Sequence, residues 1–299
     1  MVSSSIDWFG CATFRLTIGG LVVFLDAYID RVQGASGSGA TADDIDAADF
    51  ILIGHSHFDH LWGAERIAKR TKATIVGSYE TIRIMQAQGV PMSQLLPVAG
   101  GERIRLDPTT TVSVFPSLHS CVWSHTKIQP SDAVCIGDLG LTYQERILRL
   151  GELQKWMQTL SDDVRRHSAQ ANQGALGDGG ALIYLLETPA GSLLYQDTAG
   201  QWSGILQDLR PDVAILAAAG RGNLDGEPTQ GTLAEFVGEQ AARLKPSRVL
   251  LSHHDDWLPG FSISIDVAPI REVISRRSPR TSLVEVDYVS GYRLFEGLP

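Results

Sequence analysis

The sequence predicts an α/β fold (α+β in type) arranged in layers. Two observations carry this reading. Short runs of β-branched and aromatic residues alternate with stretches of helical periodicity from residue 50 onward, and strand pairs that read as antiparallel hairpins stand at both ends of the chain. A third, compositional observation fits them: of 299 residues, 43% are hydrophobic and 20% charged, enough apolar material to fill a core.

Taken in order, residues 6–9, 13–18 and 21–26 read as strands, and Gly19-Gly20 marks a hairpin turn between the last two. Residues 34–40, Gly-Ala-Ser-Gly-Ser-Gly-Ala, have the composition of a mobile loop. An apolar strand over 50–53 stops at Gly54, a helix is expected over 61–70, and a strand over 74–76. Ser78 opens a helix that Gly89 and Pro91 close. Residues 103–106 and 111–115 form a further strand pair. Between 141 and 172 the pattern changes. Leu141, Ile147, Leu148, Leu150, Leu153, Trp156, Met157, Leu160 and Val164 recur at helical spacing, as one long amphipathic helix or two shorter ones, with the apolar stripe expected to pack on the core. Strands resume at 182–186, 193–195, 213–216 and 249–251, with a helix near 233–243, and residues 284–288 and 292–295 read as a terminal hairpin. No repeat or composition shift divides the chain, so residues 1–299 read as one domain with a helical insertion.

Composition excludes several functions. With 25 Lys+Arg against 34 Asp+Glu the formal charge is −9, which disfavours a binder of nucleic-acid phosphates. Three widely spaced cysteines, Cys11, Cys121 and Cys135, indicate neither a disulfide scaffold nor a zinc ribbon. The start lacks the pattern of a signal peptide, and the longest apolar runs, such as 21–25 and 213–219, are too short for a bilayer. A cytoplasmic protein without membrane or nucleic-acid partners is expected.

Chemistry concentrates at His55-Ser56-His57-Phe58-Asp59-His60, where three of the eight histidines fall within six residues. This run lies between an apolar strand and a helical pattern, on a tight loop. There His55 and His57 can converge on one point while Asp59 and His60 turn toward a second. Imidazole nitrogen and carboxylate oxygen are the donors that borderline divalent metals take.

His55-x-His57-x-Asp59-His60 resembles the HxHxDH signature of the metallo-β-lactamase fold superfamily. The resemblance extends over roughly residues 5–255 and implies a four-layer αββα sandwich. It also implies later ligands, each just after a strand: His119, Asp197 in Tyr195-Gln196-Asp197-Thr198, and His253. On that pattern His55, His57 and His119 hold one metal, Asp59, His60 and His253 hold another, and Asp197 bridges them together with a water or hydroxide. Asp59 and Asp197 are then also the carboxylates nearest the reaction. Two divalent cations are implied, Zn2+ first, with Mn2+ or Fe2+ able to use the same donors. His125 competes with His119 and is otherwise a substrate contact or a surface histidine. His254 competes with His253: alternation along an extended chain sends neighbours to opposite sides, and the strand end favours His253. Asp26 resembles a strand-end Asp that supports the metal loop through hydrogen bonds.

The opening Asp7-Trp8-Phe9-Gly10-Cys11-Ala12-Thr13-Phe14 is similar to the start of the ascorbate-6-phosphate lactonase-like branch, with Cys11 where that branch commonly has His. Arg221, beside the Ala219-Gly220 turn, is a candidate anion contact or a surface arginine. The resemblance implies hydrolysis of a small ester, lactone or phosphoester, which can be anionic. A diiron oxidoreductase and a metal-binding protein without turnover are the alternatives, and a homo-oligomer is compatible with the insertion's apolar stripe.

Overall fold

The computed structural model describes residues 4–124 and 134–298. Strands β1 (Ser4–Gly10), β2 (Thr13–Ile18), β3 (Leu21–Leu25), β4 (Phe50–Leu52), β5 (Thr74–Gly77) and β6 (Leu95–Pro97) form one sheet in chain order. A second sheet holds, again in sequential order, β7 (Arg103–Arg105), β8 (Thr111–Pro116), β9 (Leu182–Thr188), β10 (Gly191–Gln196), β11 (Val213–Ala217), β12 (Arg248–Ser252) and β13 (Ser282–Leu283). Each sheet begins antiparallel and ends parallel, switching at β3 in the first and at β10 in the second.

Side-chain alternation builds the layers. Val23 and Leu25 face a core shared with Val112, Val114, Tyr184, Tyr195, Ile215 and Leu250 of the other sheet, whereas Phe24 between them faces outward. Outside the first sheet, Phe24, Ile51 and Ile53 pack on Ile67 and Ala68 of helix α1 (Ala64–Thr71) and on Ile82 and Met85 of α2 (Tyr79–Ala87). Outside the second, Ile183, Ala214, Leu216 and Leu251 pack on α3 (Leu233–Leu244) and α4 (Ala268–Arg277) through Val237, Ala241, Ile270 and Ile274. The period of two along each strand therefore yields two buried faces and the expected αββα sandwich.

The strand ends place the site. Strands β3, β4 and β5 run parallel, as do β10, β11 and β12. Strand β8 runs with β10 because each is antiparallel to β9. The segments that follow β3, β4, β8, β10 and β12 thus leave from carboxyl ends, where the sheet no longer satisfies the backbone and loops can carry chemistry.

Several details differ from the sequence reading. The helix expected over 61–70 is broken: a single turn spans Phe58–Leu61 and α1 begins at Ala64. Gly63 between them has φ +122°, and a Cβ there would lie 2.6 Å from the Ala27 carbonyl oxygen. The terminal hairpin does not form. Val284 still bonds to Val249 of β12, and residues 288–292 then run along the free edge of β1, with reciprocal hydrogen bonds between Ile6 and Tyr292 and one from Val289 to the Trp8 carbonyl. A strand-like sequence found an unpaired edge and covered it. The 34–40 loop is tied down by hydrogen bonds from Ser36 to Asp256 and from Ser38 to Phe9.

The insertion is two helices, Tyr143–Met157 and Asp162–Ala171, each capped by the hydroxyl that precedes it, Thr142 and Ser161. Full burial of the stripe is confined to the second, which buries Val164, His167 and Ala171, while in the first Leu150, Leu153, Trp156 and Met157 are half-buried and Trp156 stacks on Phe261. The first buries no residue fully, and Tyr143 and Leu148 are 71% and 67% exposed.

Candidate metal centre

The His55–His60 run leaves β4 through Gly54 and enters the Phe58–Leu61 turn, so its side chains fan out at the carboxyl end of the first sheet. From the second sheet come His119 after β8, Asp197 directly after β10, and His253 directly after β12. Ring nitrogens of His55, His57 and His119 form one group of potential donors within 4.8 Å of one another, and a ring nitrogen of His253, a carboxylate oxygen of Asp59 and the Cys11 sulfur form another. A third group, His55, His60 and Asp197, shares His55 with the first and is linked to the second by His60, whose Nε2 lies 3.2 Å from His253 Nε2.

Contacts at the rings assign the donors. His55 Nδ1 faces Asp197 Oδ2 at 2.5 Å, His57 Nε2 faces the Gly177 carbonyl at 3.1 Å, His60 Nδ1 faces Asp26 Oδ2 at 2.5 Å, and His119 Nδ1 faces the Ser120 carbonyl at 2.9 Å. Each of these rings donates one N–H to an oxygen, which leaves the other nitrogen with its lone pair. Those remaining nitrogens approach one another: His55 Nε2 to His57 Nδ1 at 3.1 Å, and His60 Nε2 to His253 Nε2 at 3.2 Å. His60 Nε2 also lies 3.5 Å from Asp59 Oδ2. Two imidazole nitrogens on one tetrahedral Zn2+ at 2.0–2.1 Å are separated by about 3.3 Å, so these edges have the length that a shared cation sets.

Electrostatics agree with that donor chemistry. Burial pushes His55 and His119 well below the usual imidazole range and brings His253 down to about 3, so all three are neutral, the form that binds metal. His60 is the exception: Asp59 and Asp26 flank it and raise it well above the usual imidazole range despite its burial, so its Nε2 must give up a proton before it can hold a cation. Burial raises Asp26 and Asp197 to about 6. Asp197 Oδ1 is buried and has no hydrogen-bond partner among the described residues. A carboxylate oxygen held this way between two histidine groups is costly by itself and suits a cation.

Asp26, in the left-handed region at φ +55°, ties the loop together. Its Oδ1 accepts the Gly54 N–H at 2.7 Å, and its Oδ2 accepts His60 and lies 2.6 Å from the Tyr195 hydroxyl. Asn223 holds the His119 carbonyl at 2.7 Å, and Thr198 Oγ1 accepts the Ser120 N–H.

His254 and Arg221, also singled out in the sequence, are not members of these donor groups. His254 turns the opposite way from His253: its ring stacks on Trp8 at 4.4 Å, beside a small cavity lined by Phe14, Leu250 and Val284. Arg221 is buried in the turn after β11, where its carbonyl accepts the Cys121 N–H. His125 lies outside the described residues. Sequence reasoning gave no site role to Gly54, Tyr195 or Cys11. Cys11 is fully buried, with Sγ 3.1 Å from His253 Nδ1. Its place in Gly10-Cys11-Ala12, at the bend between two strands, was the one available signal.

Comparison with known proteins bears on the same residues. Residues 22–254 match the beta-lactamase superfamily domain. A UPF0173 metal-dependent hydrolase of Pyrobaculum aerophilum is 37% identical over 117 residues, 38% of this chain and 50% of that protein. A second of that description, from Methanopyrus kandleri, is 37% identical over 95 residues, 32% of this chain and 40% of that protein. The chain thus spans about half the length, or less, of these curated relatives. Among solved structures, Igni18, a metallo hydrolase of Ignicoccus hospitalis, superposes with a TM-score of 0.63 at 14% identity, covering 96% of this chain and 97% of that one. An isothiocyanate hydrolase from Delia radicum gut bacteria gives 0.56 at 14% identity, covering 94% and 95%. At such identities the likeness speaks to the fold.

Proposed function

The chain belongs to the beta-lactamase superfamily, and from that premise we propose that it is a hydrolase dependent on two divalent metal ions, Zn2+ first among them, acting on a small ester, lactone or phosphoester. The observation that carries this reading is Asp197. Its buried carboxylate meets His55 and His60, one from each histidine neighbourhood, and keeps one oxygen without a hydrogen-bond partner among the described residues.

His55, His57 and His119 would hold one metal, Asp59, His60 and His253 the other, and Asp197 both. When bound, two such cations acidify a shared water toward neutrality and polarise a substrate carbonyl or phosphoryl oxygen. The protein's own groups do the rest. Asp26, Gly177 and Ser120 fix the histidine tautomers, so no ring must reorient during turnover. His57 and Asp59 are the half-buried members of the set, which puts the open side of the site at the His57–Asp59 segment. The Asp59 carboxyl, held well below the usual range by His60, stays ionised there and is ready to serve as a donor to the second metal.

The test is metal analysis followed by a hydrolase screen of the zinc-loaded protein over lactones, phosphodiesters, thioesters and β-lactams. Two zinc ions per chain with turnover of one substrate class is the expected result. Redox-active iron with an oxygen-dependent spectrum, or undiminished turnover in His57→Ala, would overturn the assignment.

A further inference from the structure

Cys11 belongs to none of the roles above, yet its sulfur lies inside the centre. Sγ is 3.1 and 4.0 Å from the two ring nitrogens of His253 and 3.6 Å from the Asp59 carbonyl oxygen. Together with a carboxylate oxygen of Asp59 and a ring nitrogen of His253 it forms a group of three donors within 4.8 Å of one another. On a tetrahedral zinc with Zn–S near 2.3 Å and Zn–N near 2.0–2.1 Å, sulfur and nitrogen stand about 3.6 Å apart, close to the 4.0 Å between Sγ and His253 Nε2, the nitrogen that also faces His60.

The backbone is built to aim that side chain. Cys11 has φ +52° and His253 φ +60°, both in the left-handed region that L residues seldom occupy. Such conformations persist only where surrounding contacts enforce them. Here the Cys11 N–H is held by both Asp255 carboxylate oxygens at 3.0 and 3.1 Å, and its carbonyl accepts the Trp8 indole N–H and the His253 N–H. Gly10 is required beside it, because a Cβ there would lie 2.8 Å from Asp255 Oδ2. Burial, with the Asp59 and Asp255 charges, raises the Cys11 thiol well above its ordinary range, and the Arg31 guanidinium, stacked over Tyr28 at 4.1 Å, opposes that shift only in part, so it is the bound cation that would draw off the proton.

We propose that Cys11 supplies a thiolate ligand to the second metal position, alongside Asp59 and His253. This rests on the two-metal reading and adds a donor to it. On loading, the S–H bond breaks, its proton leaves to solvent, and a sulfur–metal bond forms. The hydrogen bond from the thiol to the Asp59 carbonyl is lost in the same step. A soft donor at one position only would make the two positions unequal, the second favouring thiophilic metals.

The experiment is cobalt substitution of the whole chain, followed by optical spectroscopy. Wild-type protein with two equivalents of Co2+ should show visible ligand-field bands and a near-ultraviolet thiolate-to-cobalt charge-transfer band that grows with one of the equivalents. Cys11→Ser should lose the charge-transfer band, keep the visible bands of the His55, His57 and His119 position, and bind the other equivalent at least about tenfold more weakly. Visible bands without charge transfer in the wild type would overturn the proposal and leave the two-metal reading intact. A charge-transfer band that persists in Cys11→Ser would overturn it too, since the sulfur would come from elsewhere. Absence of visible bands in the wild type would defeat the two-metal reading and this proposal with it. Should Cys11→Ser fail to fold, cadmium NMR of the wild type decides: one resonance in the thiolate range is expected, and two in the nitrogen–oxygen range refute the ligand.

Discussion

His55 and Asp197, 142 residues apart and carried by different sheets, meet at 2.5 Å, and they can do so because residue 54 has no side chain. A Cβ on Gly54 would lie 2.1 Å from Asp197 Oδ2 and 2.2 Å from its Cγ. The carboxylate occupies the volume that any other residue at 54 would fill.

Gly54→Ala is therefore expected to push Asp197 out of the centre. The backbone of Gly54 is outside the left-handed region, so the cost is steric and local. Metal binding should weaken by at least about tenfold while the far-ultraviolet circular dichroism is kept. Isothermal titration with Zn2+ checks this, and unchanged affinity would show that Asp197 is not a ligand.

Asp197→Asn separates stability from function. The buried carboxyl has its pKa raised to about 6, above the ordinary value of 3.8. The folded metal-free protein therefore holds that proton more tightly than the unfolded chain, and its stability falls as pH rises from about 4 through 6 and stays lowered above. Asparagine removes this penalty. The metal-free variant should be more stable than the wild type at pH 7 by roughly 1–3 kcal/mol, and equal to it near pH 3. It should also fail to take up metal. Urea unfolding in chelator at both pH values reads the first effect, and a gain at pH 3 equal to that at pH 7 would refute the electrostatic account.

Asp26→Asn keeps shape and removes charge from the residue that orients His60. An amide can still accept from Gly54, but it no longer offers a carboxylate to His60 Nδ1 and Tyr195. Metal affinity should drop about 10- to 100-fold, with the effect confined to the second position. Cobalt titration resolves the two equivalents. Equal weakening of both would mean that Asp26 acts on the fold rather than on His60.

How much of this was legible in the sequence depended on whether the deciding contact was local. The His55–His60 run is local: density and spacing of donors alone pointed to a metal. His119, Asp197 and His253 are single residues, legible only through family resemblance, and the structure gathers them with the run. Gly54 and Cys11 meet partners 143 and 242 residues away, Asp197 and His253, and their own neighbourhoods carry at most the bend at Gly10-Cys11-Ala12 and the replacement there of the His common in the lactonase-like branch. The terminal segment was misread for the same reason. Alternation in 284–295 reports an extended, half-buried chain but not its partner, and the edge of β1 outcompeted self-pairing. In the insertion, periodicity reported an amphipathic helix but not whether its stripe meets anything. The 143–157 helix leaves Leu148 in solvent.

The divergence of His253 and His254 yields the last prediction. His254 stacks on Trp8 with ring planes 9° apart, and its burial lowers its pKa from 6.5 to about 4. A histidine whose folded pKa is depressed contributes stability that is present above its unfolded pKa. That contribution declines as pH falls from about 6.5 and is fully lost below about 4. Protonating the ring inside the stack places a charge beside Phe14, Leu250 and Val284; Glu285 also lines that cavity but is paired with Arg271, and burial is what lowers the His254 pKa. His254→Phe preserves an aromatic ring over Trp8 and has nothing to protonate. Between pH 7 and pH 5 the wild type should lose more stability than His254→Phe, measured by urea midpoint in chelator so that metal release does not contribute. Parallel pH profiles for the two proteins would show that acid acts elsewhere. Zinc affinity of His254→Phe at pH 7 should match the wild type, because the metal-facing ring at this strand end is His253.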